Sequence, residues 1–463
     1  MLWHHRLSPP YAVTLAPPDG SGGGVFVPNQ HPGEARQGQA AGPLGKRGNS
    51  LTLPPGDGGQ TIRGNTEKPQ ENKAKRLLGR RDLVADQMRA ASIYWHYANQ
   101  VEAGAARKKL PGRGVTYCGW TQIADKPTEL RRIQDESGYR SYFSGVQTCG
   151  LRWVCPCCTA KAAQVDRAYV NDGLAAARQA GLWPVMITMT TRHARHEAAA
   201  DVIGGIIRAE QRLKTVKAWR RFSARISGYA RVLEWTHGEH GHHPHFHTIA
   251  LVQAGSEQEA LAVAEELQAA YMRQLEAAGR DGTSEAAWRH SFHVQGAAAA
   301  GAYVAKWGSA EELTGALAKA GGGEGLTPWQ LLRLARTASA ERDRQLYASI
   351  WWQIVGATKG KAQLYKSEGW RDLVEGYRQG EDEEPQAEPE LVYGFGQREK
   401  RGQPTVPWLD ALPKRLAIRE AAEAHKSLDM ALMAVREAIR EGPTDIDLVG
   451  GNDDDTELIE DCG

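Results

Sequence analysis

Three histidines at alternate positions, His243-Pro-His245-Phe-His247, form the most chemically suggestive run in the chain. On a β-strand successive side chains point to opposite faces, so 243, 245 and 247 share one face. Phe246 and Ile249 fall on opposite faces, so the strand is not simply amphipathic. Two imidazoles one pleat apart can hold one divalent ion, and a carboxylate from a paired strand can complete the set. Glu234 stands in place for that role across a hairpin turning at residues 238–242. Mixed His/carboxylate ligation suits Mn²⁺, tolerates Mg²⁺ and leaves Zn²⁺ open. His-rich tracts are also plain surface features, and His237, His240 and His242 crowd the same stretch.

A second candidate is Tyr303-Val-Ala-Lys306. Residues at i and i+3 share a helix face. A tyrosine oxygen can attack phosphorus and become a covalent phosphotyrosine, but its ordinary pKa of about 10 demands a metal or a cation beside it at neutral pH. Lys306 would orient the phosphate or stabilise the phenolate. Most Tyr-x-x-Lys pairs are a packed ring beside a solvated ammonium. This one gains meaning only from the histidine strand before it.

The third is a cysteine cluster, Cys149-x5-Cys155-Pro-Cys157-Cys158. Cys155 and Cys158 make a Cys-x-x-Cys knuckle of the kind that holds tetrahedral zinc. Cys149 and the earlier Cys118 bring the count to four, with Cys157 as a substitute ligand; buried reduced thiols are the bland alternative. No thioredoxin-like strand–helix context surrounds the pair, which argues against redox work. No His or carboxylate is spaced to leave an open catalytic position, so the zinc is expected to be structural. Cys462 stands apart in the acidic tail. Finally, Arg208, Arg212, Lys214, Lys217, Arg220, Arg221 and Arg225 form a basic stretch able to track phosphates. The ordinary alternative is a solvated helix face.

The elements that must position these residues alternate. Residues 183–191 read as a strand, 201–227 as a helix, 229–235 and 246–252 as hairpin strands, 257–278 as a helix, 291–294 as a short strand and 297–307 as a helix. Before them, 81–109 is helical, 110–158 loop-rich and 160–180 an Ala-rich helix. After them, 331–357 reads as a helix, 381–390 as a linker and 411–441 as one amphipathic helix. The first 70 residues hold 13 Gly and 10 Pro, too little apolar surface to offset chain entropy.

Charge is uneven. Residues 381–463 hold 21 acidic and 9 basic residues, and the first 380 hold 34 and 48. A basic body with an acidic end fits a nucleic-acid partner. No apolar run reaches the ~18 residues of a membrane span, and Met-Leu-Trp-His-His-Arg at the start lacks the apolar core of a secretory signal. Six cysteines exclude a disulfide-dense scaffold and, with four of them inside 149–158, point to metal in a reducing compartment. A cytoplasmic protein that does not enter membranes is expected.

Taken in order, Ile187-Thr-Met-Thr190, His245-Phe-His247 and Tyr303-Val-Ala-Lys306 resemble the three motifs of plasmid rolling-circle replication initiators of the HUH endonuclease superfamily. The stretch from Thr148 to Cys158 looks like that of the cysteine-bearing actinobacterial plasmid type. Glu234 and Leu364-Tyr-Lys-Ser-Glu-Gly-Trp-Arg371 add to the likeness, which covers about 115–375. The resemblance implies an α+β fold, an antiparallel five-stranded sheet with flanking helices, preceded by a small Cys-rich zinc-binding region and flanked by disordered tails. It divides the chain into a disordered segment (1–80), a helical and Cys-rich zinc-binding region (81–180), the endonuclease domain (181–378), an acidic linker (379–410), and a C-terminal helix with an acidic tail (411–463).

It further implies Mg²⁺ or Mn²⁺ on His245, His247 and Glu234, and Tyr303 as the nucleophile, with Lys306 assisting. The nick would fall in the plasmid's double-strand origin, single-stranded at the cut. It would leave the tyrosine on the 5′-phosphate and free a 3′-OH primer, with strand joining later and a host helicase and polymerase as partners. Zinc on Cys118, Cys149, Cys155 and Cys158 and DNA contacts from Arg212, Lys217, Arg220 and Arg221 complete the expected sites. Related plasmid proteins often carry a glutamate four residues before the tyrosine to terminate replication; here that position is Ala299. A relaxase or single-strand transposase of the same superfamily, and a non-catalytic zinc-stabilised DNA-binding regulator, are the competing readings.

Overall fold

The computed structural model of the chain describes residues 69–101, 107, 109–135, 138–306, 325–379, 388–396 and 406–449. The described part begins with α1 (Pro69–Asn99), followed by a hairpin of β1 (Thr128–Asp135) and β2 (Gly138–Ser144). Helix α2 (Pro156–Gln179) leads into β3 (Trp183–Met189), and α3 (Ala199–Leu213) and α4 (Lys217–Ser223) lead into the long hairpin of β4 (Ile226–Gly238) and β5 (Gly241–Val252). Then come α5 (Glu257–Glu265), α6 (Gln268–Ala277), α7 (Glu285–His290), β6 (Phe292–Gln295) and α8 (Ala297–Lys306). Helices α9 (Pro328–Thr337) and α10 (Glu341–Thr358), strand β7 (Leu364–Lys366) and helix α11 (Glu368–Gln379) follow. Strand β8 (Glu390–Phe395) and helices α12 (Trp408–Ala411), α13 (Arg415–Ala424), α14 (Leu428–Glu441) and α15 (Asp445–Val449) complete the order. All of these belong to one compact unit running from Thr66.

Five strands form one antiparallel sheet in the order β6-β3-β5-β4-β7. Its faces follow from strand periodicity. On one face Met186, Ala230, Val232, Ile249 and Leu251 pack with Val170 and Ala177 of α2, Ala300 and Val304 of α8, and Trp370 and Val374 of α11. On the other, Ile187, Leu233, Phe246 and Ala250 pack with Ile203, Ile206 and Leu213 of α3 and with Tyr271 and Leu275 of α6. Trp370 is fully buried in a notch that Gly173 leaves open: a Cβ there would stand 2.3 Å from the indole. This α+β architecture, an antiparallel five-stranded sheet with flanking helices, agrees with the sequence expectation.

Four parts depart from it. The helix expected over 201–227 is two, because Val216 takes an extended conformation and turns the chain between α3 and α4. The 257–278 helix is likewise α5 and α6. The largest departure is a second, three-stranded sheet, β2-β1-β8, built from the loop-rich region and from within the expected linker 379–410. Its core joins Leu130, Val392 and Phe395 to Trp408, Leu416, Ile418 and Val435. Arg132 is fully buried there, ion-paired to Glu390 at 2.7 Å and donating to the carbonyls of His425 (2.7 Å) and Lys426 (3.0 Å). Those carbonyls lie at the end of α13, and the guanidinium that satisfies them marks where the expected single helix 411–441 divides into α13 and α14.

Residues 69–80, expected to lie in the disordered segment, belong to α1. Residues 1–68 and the tail 450–463, with Cys462, lie outside the described residues. No helix among the described residues is long and apolar enough to cross a membrane.

Candidate metal and tyrosine site

The histidines stand on β5 and the carboxylate on β4, and the hairpin register sets Glu234 opposite His245. On the other side β3 sets Thr188 opposite His247. The alternation that puts Phe246 into one core therefore puts both imidazoles on the opposite face, towards α8. His245 Nε2 lies 3.1 Å and His247 Nε2 3.3 Å from the same oxygen, Glu234 Oε2. All three donors lie within 4.8 Å of one another, and all three side chains keep partial access to solvent.

Tyr303 completes the group. Its Oη donates to Glu234 Oε1 at 2.5 Å, and its ring packs on His247 with centroids 4.7 Å apart. Helix α8 holds it there because Ala300 and Val304, one turn before and one residue after, are buried against the sheet. Glu257 Oε1 accepts from Ala297 N at 2.8 Å and so fixes the start of that helix.

The far side of each imidazole is also held. His247 Nδ1 meets Thr188 Oγ1 at 2.9 Å, and His245 Nδ1 donates towards the His243 carbonyl at 3.3 Å. A metal on Nε2 would replace that nitrogen's hydrogen bond to Glu234, and the Nδ1 donation would then fix the ring in the tautomer a ligating histidine needs. Burial pushes the Glu234 carboxyl up, but hydrogen bonds from His245 and His247 outweigh it and hold the group well below the ordinary carboxylate range. Two imidazole nitrogens and an ionised carboxylate converging on one point call for a positive charge between them, and this donor set fits Mn²⁺ or Mg²⁺. Thr188→Val, which keeps shape and removes the hydroxyl, is expected to raise the Mn²⁺ concentration needed to half-fill the site by about 10- to 100-fold. Superimposable Mn²⁺ curves for the two proteins would refute this role for Thr188.

The four expected cysteines also come together. Cys118 Sγ lies 3.4 Å from Cys158 Sγ and 3.7 Å from Cys155 Sγ, and Cys149 Sγ lies 3.6 Å from Cys158 Sγ. A zinc tetrathiolate with Zn–S of about 2.3 Å has S–S edges of about 3.8 Å, so the spacing fits that ion. Cys155 is the N-cap of α2 and Cys158 lies in its first turn, where the helix N-terminus favours thiolates. The mutual hydrogen bonds of the four sulfurs hold the Cys158 thiol below its usual range and push Cys149 and Cys155 above it, the pattern of one thiolate shared by neighbouring thiols. Cys157, weighed as a substitute ligand, instead faces Gln87 Oε1 at 3.2 Å.

The basic residues sit elsewhere. Arg212, Lys217, Arg220 and Arg221 are exposed. Their helices, α3 and α4, cover the sheet face opposite Tyr303, so the structure does not bring them to the tyrosine. Lys217, Arg220 and Arg221 have no carboxylate within ion-pair distance among the described residues, whereas Lys214 and Arg225 are paired to Glu210 and Glu259. The side chain of Lys306 lies outside the described residues. Sequence reasoning missed Thr188, although its place in the first motif and the alternation of β3 point it at the histidine face. It also missed the contact of His193 Nε2 with His243 Nδ1 at 3.0 Å.

Fold and site together define an α+β protein in which an antiparallel sheet presents a His/His/Glu donor set beside a tyrosine. Residues 141–260 match the family model described as replication protein. The match takes in Cys149, Cys155, Cys158, Glu234, His245 and His247 and ends before Tyr303, and it supports a replication protein. No curated protein and no solved structure matches the chain.

Proposed function

We propose that this protein initiates plasmid rolling-circle replication by nicking one strand of the origin through Tyr303. The observation that carries the reading is the short contact between Tyr303 Oη and Glu234, whose other oxygen faces both His245 and His247. In the proposed step Tyr303 Oη attacks the scissile phosphorus and the bond to the 3′ oxygen breaks. The 5′-phosphate stays on the tyrosine, and the departing 3′ oxygen takes a proton to become the primer hydroxyl. Glu234 Oε1, which already accepts the phenol's hydrogen bond, takes the phenol proton, and the proton on the departing 3′ oxygen comes from solvent. A divalent ion held by His245, His247 and Glu234 would supply charge stabilisation at the phosphoryl oxygen.

Zinc on Cys118, Cys149, Cys155 and Cys158 would be structural, anchoring the start of α2. The exposed Lys217, Arg220 and Arg221, with Arg212, would hold origin DNA beyond the cut, and the freed 3′-OH would be handed to a host helicase and polymerase. Lys306 remains the proposed phosphate-orienting cation. No carboxylate stands in the helical turn before Tyr303, so the terminating step would draw its base from elsewhere than position 299.

His245→Ala combined with His247→Ala is expected to abolish Mn²⁺- or Mg²⁺-dependent nicking of a supercoiled plasmid carrying the origin, a fall of at least about 1000-fold. Affinity for the same DNA is expected to change little. Undiminished nicking by the double variant would sink the assignment.

A further inference from the structure

The rung of the sheet next to the metal rung is built for a ligand of its own. Two residues beyond the Glu234–His245 pair, on the same face, β4 and β5 set Thr236 opposite His243. That step is about 6.8 Å along the strands, close to the reach of one nucleotide unit. Thr236 and His243 open into a cleft of about 720 Å³ whose other wall is the segment after β3, with Thr191, His193 and Arg195, and whose floor includes Ser291. The volume is in the range of small-ligand sites.

Two features mark the cleft as more than a gap between loops. Ser291 is 1% exposed, yet its Oγ has no hydrogen-bond partner among the described residues. A buried hydroxyl left that way costs stability unless something satisfies it. The wall is also held rigidly against the hairpin. Gly241 has φ +89°, and a Cβ there would lie 2.5 Å from the carbonyl oxygen of Arg195, so the hairpin turn packs directly on this backbone. The lining is rich in groups that both give and take hydrogen bonds. Of its two arginines, Arg192 is already tied to Asp281 at 2.9 Å, and Glu239 stands at the rim. One available cation, a carboxylate and several hydroxyls and imidazoles suit a polar, flat, singly charged group better than a run of phosphates.

We propose that this cleft receives the nucleotide adjacent to the scissile phosphate, its phosphate at Arg195 and its base edge at Thr236, Ser291 and the His193–His243 pair. The cleft is thus a sequence-reading site for the strand being cut. This rests on the nicking function proposed above and assigns part of the origin preference to specific side chains.

The test is selection of bound sequences from a random single-stranded DNA pool by the full chain without Mn²⁺ or Mg²⁺, alongside nicking of the origin plasmid. Thr236→Val and Ser291→Ala are each expected to flatten base preference at one and the same position by about 10-fold and to leave the other positions intact. Arg195→Ala is expected to weaken all sequences alike and to lower the salt slope by about 0.7. Melting curves matching the original protein check that the variants are folded. Unchanged preference in both hydroxyl variants, or flattening at every position, would overturn the cleft while the nicking reading stands if plasmid nicking persists. Absence of both binding and nicking in the original protein would overturn the two together.

Discussion

Tyr303→Phe is expected to eliminate covalent attachment to DNA and to lower nicking by at least about 1000-fold, as removal of an enzyme's nucleophile does. The change deletes one oxygen. The ring keeps its packing on His247, and α8 keeps Ala300 and Val304 in the core, so fold and metal donors survive. What disappears is the proposed attacking atom and its hydrogen bond to Glu234. The measurement is a labelled single strand spanning the cut, incubated with Mn²⁺ and run on a denaturing gel. The unaltered protein should leave a protein–DNA band and a free 3′ fragment, and the variant should leave neither while binding the strand as before. A surviving adduct would move the nucleophile to another residue.

The second large effect concerns the cysteines. Cys155→Ser is expected to lower the unfolding midpoint by roughly 10 °C or more and to release one zinc per chain, because structural zinc contributes its binding energy to folding. Cys155 is fully buried and caps α2, the helix that delivers Val170 and Ala177 to the sheet face carrying Tyr303. Damage at the thiolates should therefore reach the Tyr303–Glu234 group. Cys157→Ser provides the contrast: its thiol faces Gln87, so zinc should stay and stability should shift by under about 1 kcal/mol. Equal behaviour of the two variants would disprove a four-thiolate site that excludes Cys157.

Alternation of side chains made the His245–His247 face legible before any coordinates, and hairpin register made Glu234 its partner. Both depend on short-range periodicity, which a single sequence carries well. The fourth cysteine was legible by count, although 31 positions separate Cys118 from Cys149. Tyr303 was a different case. Nothing in Tyr-x-x-Lys says which face of a helix meets which face of a sheet, and only the histidine strand before it and the likeness to known initiators singled it out. The three-stranded sheet stayed hidden because β1 and β2 are largely polar and β8 pairs with β1 across more than half the chain. The side of the sheet taken by α3 and α4 is a matter of connection rather than composition, so the basic residues could be found but not placed.

The pairing of β1 with β8 has a practical consequence for dissecting this molecule. The small sheet closes only when residues before the five-stranded sheet meet residues after it. A fragment trimmed at 379, where the acidic run invites a cut, would lose the strand covering β1 and the carboxylate opposite Arg132. It would uncover the Arg132 guanidinium, stripped of its counter-charge and carbonyl partners, together with the apolar surface of Trp120 and Leu130 and an open strand edge, the recipe for misassembly and insolubility. The shortest well-behaved piece of this protein should therefore extend through its C-terminal helices, although none of them contributes to the His/His/Glu/Tyr group.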